Sequence, residues 1–488
     1  MESVRVRIAP SPSGILHIGT AKIALMNWLF ARQRGGTFVL RLEDTDAERT
    51  DEAYVEAMCE GFRWLGIDWD EGPPFGGEPE KGPHAPYRQS LRREIHREHG
   101  MQLVETDKAY KCFCTREELE AEREKAQASG SAWKYSGKCR ALTPEQVAGK
   151  GHAPFAVRFN VPPGETVVSD LVQGEVRIQN DQVDDFVILK PNGDPIFHLA
   201  VVVDDVTMKI THVIRGDDHL TNTVKHKMLF EALGAPVPKF AHLPMVLDET
   251  GKKYSKRMHG ANVLDWRTDG YLPEALINYV VLLGWTAGDD KEVYTRDELI
   301  QAFSLERLGQ SAAKFDLKKL QWMNGQHIRL LSVEELRDRV VPILEAAGFD
   351  AKSRPAEWLT KMTAICQEKL HTLNDIVAQT DFFFREPTEY EEKAVRKQWS
   401  DAGAVGRLEN IRSALSGVME WTHEALHAAI ETLAQASGEG FGKFVHPLRL
   451  ALTGKSVGPG LFELAELLGR ETCLKRVDSS IAFVKRGV

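Results

Sequence analysis

The sequence predicts an α/β sheet domain, split by an α+β insertion and followed by all-α domains, and three observations carry that prediction. Strand-like and helix-like patterns alternate over the first 90 residues. That alternation gives way to a mixed, cysteine-bearing stretch, and beyond residue 257 only helix-length apolar spacing recurs. At 488 residues the chain exceeds what one hydrophobic core organises, so several domains are expected.

The β-branched residues 4–8 read as a strand, 21–33 as a helix, 38–42 as a second strand and 51–65 as a helix. Strands alternating with helices require crossovers, hence a parallel, Rossmann-like sheet, whose ligands bind beyond the strands' carboxyl ends. Ser11 and Glu43 would sit there. A Gly- and Pro-rich break over residues 72–83 precedes a helix at 88–103. Residues 111–186 combine cysteines, a very polar helix at 117–127 and short strand-like pieces, which reads as an insertion. The sheet is expected to resume with strands at 197–203 and 208–214 and a helix at 221–233. Helical spacing then covers 273–283, 295–303, 312–322, 333–346, 360–370, 411–426 and 461–468. The expected domains are 1–90 with 197–250 (sheet), 91–196 (insertion), 251–330 (loop and helices) and 331–488 (helical).

Apolar content of 42% and charged content of 27% suit a soluble globular protein. No start combines basic residues with an apolar core and no apolar run approaches a membrane span, so a cytoplasmic location is expected. A net charge of −9 excludes a generally basic nucleic-acid-coating protein but permits a local positive face. Residues 439–488 carry eight Lys or Arg against five Asp or Glu, which fits either such a face or ordinary solvated surface. Six cysteines, three of them scattered singly at Cys59, Cys366 and Cys473, do not make a disulfide framework, consistent with a reducing compartment.

Two segments about 235 residues apart carry the chemistry. Arg7-Ile8-Ala9-Pro10-Ser11-Pro12-Ser13-Gly14-Ile15-Leu16-His17-Ile18-Gly19-Thr20 reads as strand, loop and helix N-terminus, where free N–H groups and the helix dipole favour a polyphosphate. His17 can donate to a phosphate oxygen, Gly19 permits close approach to backbone, and Thr20 keeps a hydroxyl donor. Lys253-Tyr254-Ser255-Lys256-Arg257 places three cations in five residues beside Gly251, which suits a loop folding over polyphosphate as well as a plain solvated basic loop. In the insertion, Cys112-Phe113-Cys114 and Cys139 have the clustering of a metal site; a structural zinc and simple buried thiols both remain open.

These segments resemble the His-Ile-Gly-His and Lys-Met-Ser-Lys-Ser motifs of class I aminoacyl-tRNA synthetases, and the chain as a whole is similar to glutamyl-tRNA synthetases of the bacterial type. Arg41-Leu42-Glu43-Asp44-Thr45-Asp46, His198 through Asp205 and Val213-Ile214-Arg215-Gly216-Asp217-Asp218-His219 follow in the family's order. A helical C-terminal half containing Phe444-Val445-His446-Pro447-Leu448-Arg449 looks like the bacterial type, whereas glutaminyl enzymes end in β-barrels. The resemblance implies ATP-dependent attachment of L-glutamate to tRNA(Glu) through glutamyl-adenylate, releasing AMP and pyrophosphate, with Mg2+ accompanying ATP. It also implies a cytoplasmic monomer. Whether tRNA(Gln) is also charged stays open.

By the same resemblance His17, Thr20, Lys253 and Lys256 are catalytic, and Gly19, Met245, Val246, Ser255 and Arg257 join them around ATP. Glutamate would be held by Arg7, Ala9, Ser11, Glu43, Phe197, Val201, Arg215 and His219; Arg suits a bidentate carboxylate grip and an acid suits the amine. Phe197 stands where many members have Tyr and Val201 where some have Asn, which leaves more of the recognition to Arg7 and Arg215. Tyr135 matches a pattern in which a tyrosine oxygen completes the three-cysteine zinc site. Residues 315–324 resemble the family's stem-contacting segment, in which Trp322 reads as core. A tRNA-modifying paralogue would end soon after the lysine loop, which the helical region beyond residue 330 argues against. A small-molecule nucleotidyltransferase would need no such region, and a degenerate binding protein would have lost Arg7, His17, Glu43 or Lys256.

Overall fold

β1 (Arg5–Ile8) and β2 (Thr37–Leu40) pair in parallel, Arg5 against Thr37 through Ile8 against Leu40, because their Val, Ile and Phe side chains are buried on both faces of the strands. Parallel neighbours need a crossover, here α1 (Ile18–Arg34), whose Leu25, Met26, Leu29 and Phe30 are buried. Gly35 ends it at φ +59, donating to the carbonyls of Ala31 and Arg32. This computed structural model describes residues 3–45, 50–130, 133–255, 258 and 260–487.

The chain divides into two units, Met1–Asp265 with Leu276–Asp316, and Trp266–Ala275 with Leu317–Val488. In the first, α2 (Glu52–Trp64) and α3 (Arg93–Glu105) lead into β3 (Ala109–Cys112), α4 (Arg116–Ala128), α5 (Pro144–Ala148) and β4 (Ala156–Phe159). Next come β5 (Glu165–Asp170), β6 (Gly174–Gln179) and β7 (Val187–Leu189), then α6 (Phe197–Thr207), β8 (His212–Gly216), α7 (Leu220–Ala232), β9 (Lys239–Leu243) and β10 (Val246–Leu247). β3, β4 and β7 form an antiparallel sheet. β8 and β9 are parallel, and the Thr211 N–H donates to the Arg5 carbonyl at 2.9 Å, setting β8 beside β1. The inserted hairpin β5–β6 continues this second sheet, because Asp170 pairs in parallel with Phe240 of β9. The result is a mixed sheet to which the insertion contributes two strands.

The segment 197–203, expected to be a strand, is the start of helix α6. A short apolar run does not distinguish the two, and here burial on several sides decides. Leu199, Val202 and Val203 enter the core, while Phe197 and Val201, four apart on the same helical face, meet a cavity.

α6 ends in two buried acids, and their partners tie the sheet together. Asp204 accepts from Arg92 Nε (2.6 Å) and Gln89 Nε2 (2.9 Å) and pairs with His96 Nε2 (2.7 Å). Asp205 accepts from Arg41 Nη1 (2.7 Å) and Arg7 Nε (3.1 Å). Burial opposes ionisation of Asp204, yet His96, Arg41 and Arg92 hold its carboxyl down at about 2.

The second unit contains helices and, among the described residues, no strand. Its core includes Leu336, Val340, Leu344, Met362, Ile411, Leu426 and Leu448. The helix expected over 411–426 is two helices, Ala404–Ser416 and His423–Ser437: Gly417 closes the first, and the Thr422 hydroxyl caps the second by accepting from the Ala425 N–H. Buried Arg476 donates to carbonyls at two other helix ends, Leu452 (2.6 Å) and Phe382 (2.7 Å). Trp322, read as core, is 42% exposed, because its helix Leu317–Leu330 buries the face carrying Leu320, Met323 and His327 instead. No helix among the described residues is long and apolar enough to cross a membrane.

Asp204→Asn leaves Arg92 and Arg41 short of a buried counter-charge and should destabilise the first unit by about 3–5 kcal/mol, read as a shift of its thermal transition. Because the folded carboxyl is depressed below its ordinary value of 3.8, the stability it contributes is present above about pH 4 and lost as pH falls towards 2. The variant should lack that acid-dependent component.

Candidate active site

β1 stops where Pro10 and Pro12 remove ladder donors, and the loop runs to His17, the N-cap of α1. The Gly19 N–H donates to His17 Nδ1 at 3.0 Å. In the neutral ring the proton then sits on Nε2, which makes that atom a donor. A Cβ at Gly19 would come within 3.2 Å of Nδ1, so the cap and the glycine depend on each other. The first turn of α1 carries no acid, which leaves its positive end unneutralised.

The second segment folds against the first. Tyr254 donates its N–H to Val246 O (3.0 Å), and Leu247 bridges Lys253 across a turn in which Gly251 has φ +85. The buried Tyr254 ring lies 6.1 Å from that of His17, and Ile18 and Val263 exchange backbone bonds with Ala261 and Leu16. Lys253 Nζ is 3.5 Å from the Asp218 carboxylate.

A cavity of about 490 Å³ opens between these elements. Of the residues singled out from sequence, Arg7, Ala9, Glu43, Phe197, Val201, Arg215 and His219 line it, as do His17, Gly19, Thr20, Met245, Val246, Lys253 and Ser255. Exposed Ser11 does not. Lys256, Arg257 and Asp46 lie outside the described residues.

The charges in this cavity are held in contrasting ways. Arg7, 4% exposed, gives Nε and Nη2 to Asp205 at 3.1 and 3.4 Å. Arg215 has neutral acceptors around it: His242 Nε2 (3.2 Å), His226 Nδ1 (3.2 Å), Thr223 Oγ1 (2.7 Å) and the His219 carbonyl (3.3 Å). Among the described residues no carboxylate forms an ion pair with it. Burial, reinforced by Arg7, pulls the Arg215 guanidinium down to about 9. Glu43, whose N–H donates to Pro10 O, is pushed up to about 7 by burial, with Arg41 (3.9 Å) and Arg7 opposing. The site therefore offers a guanidinium that, among the described residues, makes no ion pair, and a carboxyl pushed up to about 7.

Lys22, not singled out from sequence, also lines the cavity, as do Tyr254 and Asp218, which fall within the quoted motifs but were given no role. Lys22 donates to the Pro244 carbonyl (2.9 Å), and burial lowers its ammonium to about 8, with Asp217 opposing. A lysine inside an otherwise apolar helix was the available signal.

Away from the cavity the three cysteines do come together. The Sγ atoms of Cys112, Cys114 and Cys139 lie within 4.8 Å of one another, and Tyr135 Oη is 3.4 Å from both Cys112 and Cys114. Arg158 reaches Cys112 Sγ (3.4 Å) and stacks on the Tyr135 ring at 3.8 Å. Three sulfurs and one oxygen converging on a point make a donor set that suits tetrahedral zinc.

Comparison with known proteins agrees with this architecture. The family described as tRNA synthetases class I (E and Q), catalytic domain, matches residues 3–322, and an anticodon binding domain matches 335–481. The chain is 42% identical to a glutamate–tRNA ligase of Moorella thermoacetica over 495 residues, covering 100% of both. It is 44% identical to one of Desulforudis audaxviator, covering 100% of this chain and 98% of that one. A crystal structure of a glutamate tRNA ligase from Elizabethkingia meningosepticum in complex with its amino acid superposes with a TM-score of 0.90 at 34% identity, over 99% and 100% of the two chains. With both domains matched and full-length relatives above 40% identity, the chain belongs to the glutamate–tRNA ligase family of class I tRNA synthetases.

Proposed function

We propose that the protein joins L-glutamate to ATP as glutamyl-adenylate and passes the glutamyl group to the 3′-terminal adenosine of tRNA(Glu). The observation that carries this reading is one cavity lined both by the His17–Gly19–Thr20 helix end and by the Lys253–Tyr254–Ser255 segment. Attack of a carboxylate on the α-phosphate needs no protein nucleophile; it needs the reactants held in line and the charge on the departing pyrophosphate met by fixed donors. His17 Nε2–H, the backbone N–H groups at the start of α1, Thr20 and Lys253 are such donors. Lys256 and Arg257 join them by their place in the motif, and Ser255 sits among them. The backbone of Met245 and Val246, fixed by Lys22 through Pro244, supports adenine. Mg2+ accompanying ATP would supply further neutralisation of phosphate charge and would need few protein carboxylates.

Glutamate's α-amino group faces Glu43 and its side-chain carboxylate the guanidinium of Arg215, with Arg7 adding a second positive group. Phe197 and Val201 form an apolar wall that strengthens these contacts by excluding water. Ala9 and His219 complete the pocket. The second unit supplies the anticodon-binding helices. Charging of tRNA(Gln) is tested by offering each purified tRNA with labelled glutamate.

Cys112, Cys114, Tyr135 and Cys139 would hold a structural zinc in the inserted region; bound, it would cross-link β3 to the loop before α5 and take no part in the chemistry.

Three results test this reading. In tRNA(Glu) charging, His17→Ala and Lys256→Ala should each lower kcat by about 10²–10³-fold, the scale of one lost transition-state donor, with tRNA binding retained; unchanged rates would remove the assignment. Since Glu43 must be ionised to meet an ammonium and is protonated below about 7, kcat/KM for glutamate should fall as pH drops through that value, and Glu43→Gln should abolish the limb. Metal analysis should give about one zinc per chain, lost in Cys139→Ser; zero would leave the buried-thiol reading.

A further inference from the structure

We infer that Asp170 and His242 are a positioning pair for Arg215, so that a residue of the inserted hairpin sets how tightly the side-chain carboxylate of glutamate is gripped. This rests on the reading that Arg215 meets that carboxylate.

Both side chains are completely buried, with Asp170 Oδ2 2.6 Å from His242 Nδ1. Oδ1 of Asp170 accepts from the N–H groups of Val172 (2.9 Å), Gln173 (2.8 Å) and His242 (3.2 Å). Burial opposes its charge, but His242 and these N–H groups hold the carboxyl below its ordinary value, so Oδ2 acts as an acceptor and demands a proton on Nδ1. Burial, together with Arg215 and Arg7, lowers the imidazole despite Asp170, so the ring is neutral and Nε2 carries a lone pair. That lone pair faces Arg215 Nε at 3.2 Å and Thr223 Oγ1 at 2.9 Å.

The consequence is directional. Among the described residues Arg215 has no carboxylate hydrogen-bonded to fix its fork, and the Nε acceptor helps decide which way the two Nη atoms turn. The tautomer of His242 is therefore set from β5, by the residue that also pairs with Phe240 where the inserted hairpin meets β9.

Asp170→Asn tests this with little change of shape. The three N–H groups keep the amide carbonyl where Oδ1 was, which leaves an NH2 against Nδ1. The ring must then carry its proton on Nε2 and point it at the Arg215 N–H. In tRNA charging, Asp170→Asn and His242→Ala should raise KM for glutamate about 10- to 100-fold while KM for ATP stays within about twofold. His242→Gln, whose Oε1 takes the place of Nε2, should recover most of the loss. Arg215→Lys separates the two levels of the argument. If it leaves KM for glutamate unchanged, the assignment of Arg215 fails. If it raises that KM while Asp170→Asn and His242→Ala do not, the positioning role alone is wrong. Parallel rises in both KM values, or His242→Gln no better than His242→Ala, would mean a merely structural pair and overturn the inference.

Discussion

Arg7, Asp205, Arg41 and Asp204 form a run of alternating charges with almost no access to water, and the rest of the first unit is arranged to make that affordable. Taking such ions out of water costs several kcal/mol each, recovered only if every member is closely partnered. Arg41 reaches both acids, Asp205 at 2.7 Å and Asp204 at 3.7 Å. It can do so because the acids are consecutive on a helix, about 100° apart; on a strand they would point to opposite faces. The helical state of α6 is thus a requirement of the charge pattern. Through this run, Arg7 is fixed at the floor of the cavity by the fold itself.

Arg215 is held by the opposite device. Its hydrogen-bond partners are neutral, and burial together with Arg7 disfavours its charge more than Asp205, Glu43 and Asp218 support it, which raises the value of an incoming carboxylate. Glu43, pushed up to about 7, is likewise stabilised as an anion when an ammonium arrives. On the proposed reading, a zwitterionic substrate with an extra carboxylate would answer both needs at once, a physical reason for preferring glutamate over neutral amino acids of similar size. Phe197 and Val201 line the same cavity with apolar surface and offer no polar side-chain contact, which on the proposed reading leaves discrimination to the two arginines.

Much of this was legible in the sequence. The β1–α1 approach and the lysine-rich segment were recognisable from residue type and order, and Tyr254 packing beside His17 joins them in space. Three cysteines converge as their clustering suggested, and Tyr135, which only the family resemblance implied, lies beside them. What was not legible depends on tertiary context. The apolar run at 197–203 has no period that separates strand from helix, and the buried acids that follow it decide the matter. Lys22 reads as an interruption of a core helix until Pro244 O appears opposite it. Asp170 lies in a strand of the insertion, 72 residues from His242, and nothing in the local pattern of either announces the other. Gly417 hid inside a helical period because glycine ends a helix as readily as it interrupts one.

The fold fixes the charges of the cavity before any ligand arrives, chiefly by pinning Arg7 on Asp205. Calorimetric titration of L-glutamate into Asp205→Asn, at a temperature where both proteins are folded, tests it most directly. Affinity should weaken about tenfold or more with ATP binding retained, since the neutral amide frees Arg7 to turn away. Glutamate affinity equal to that of the unaltered protein would contradict it.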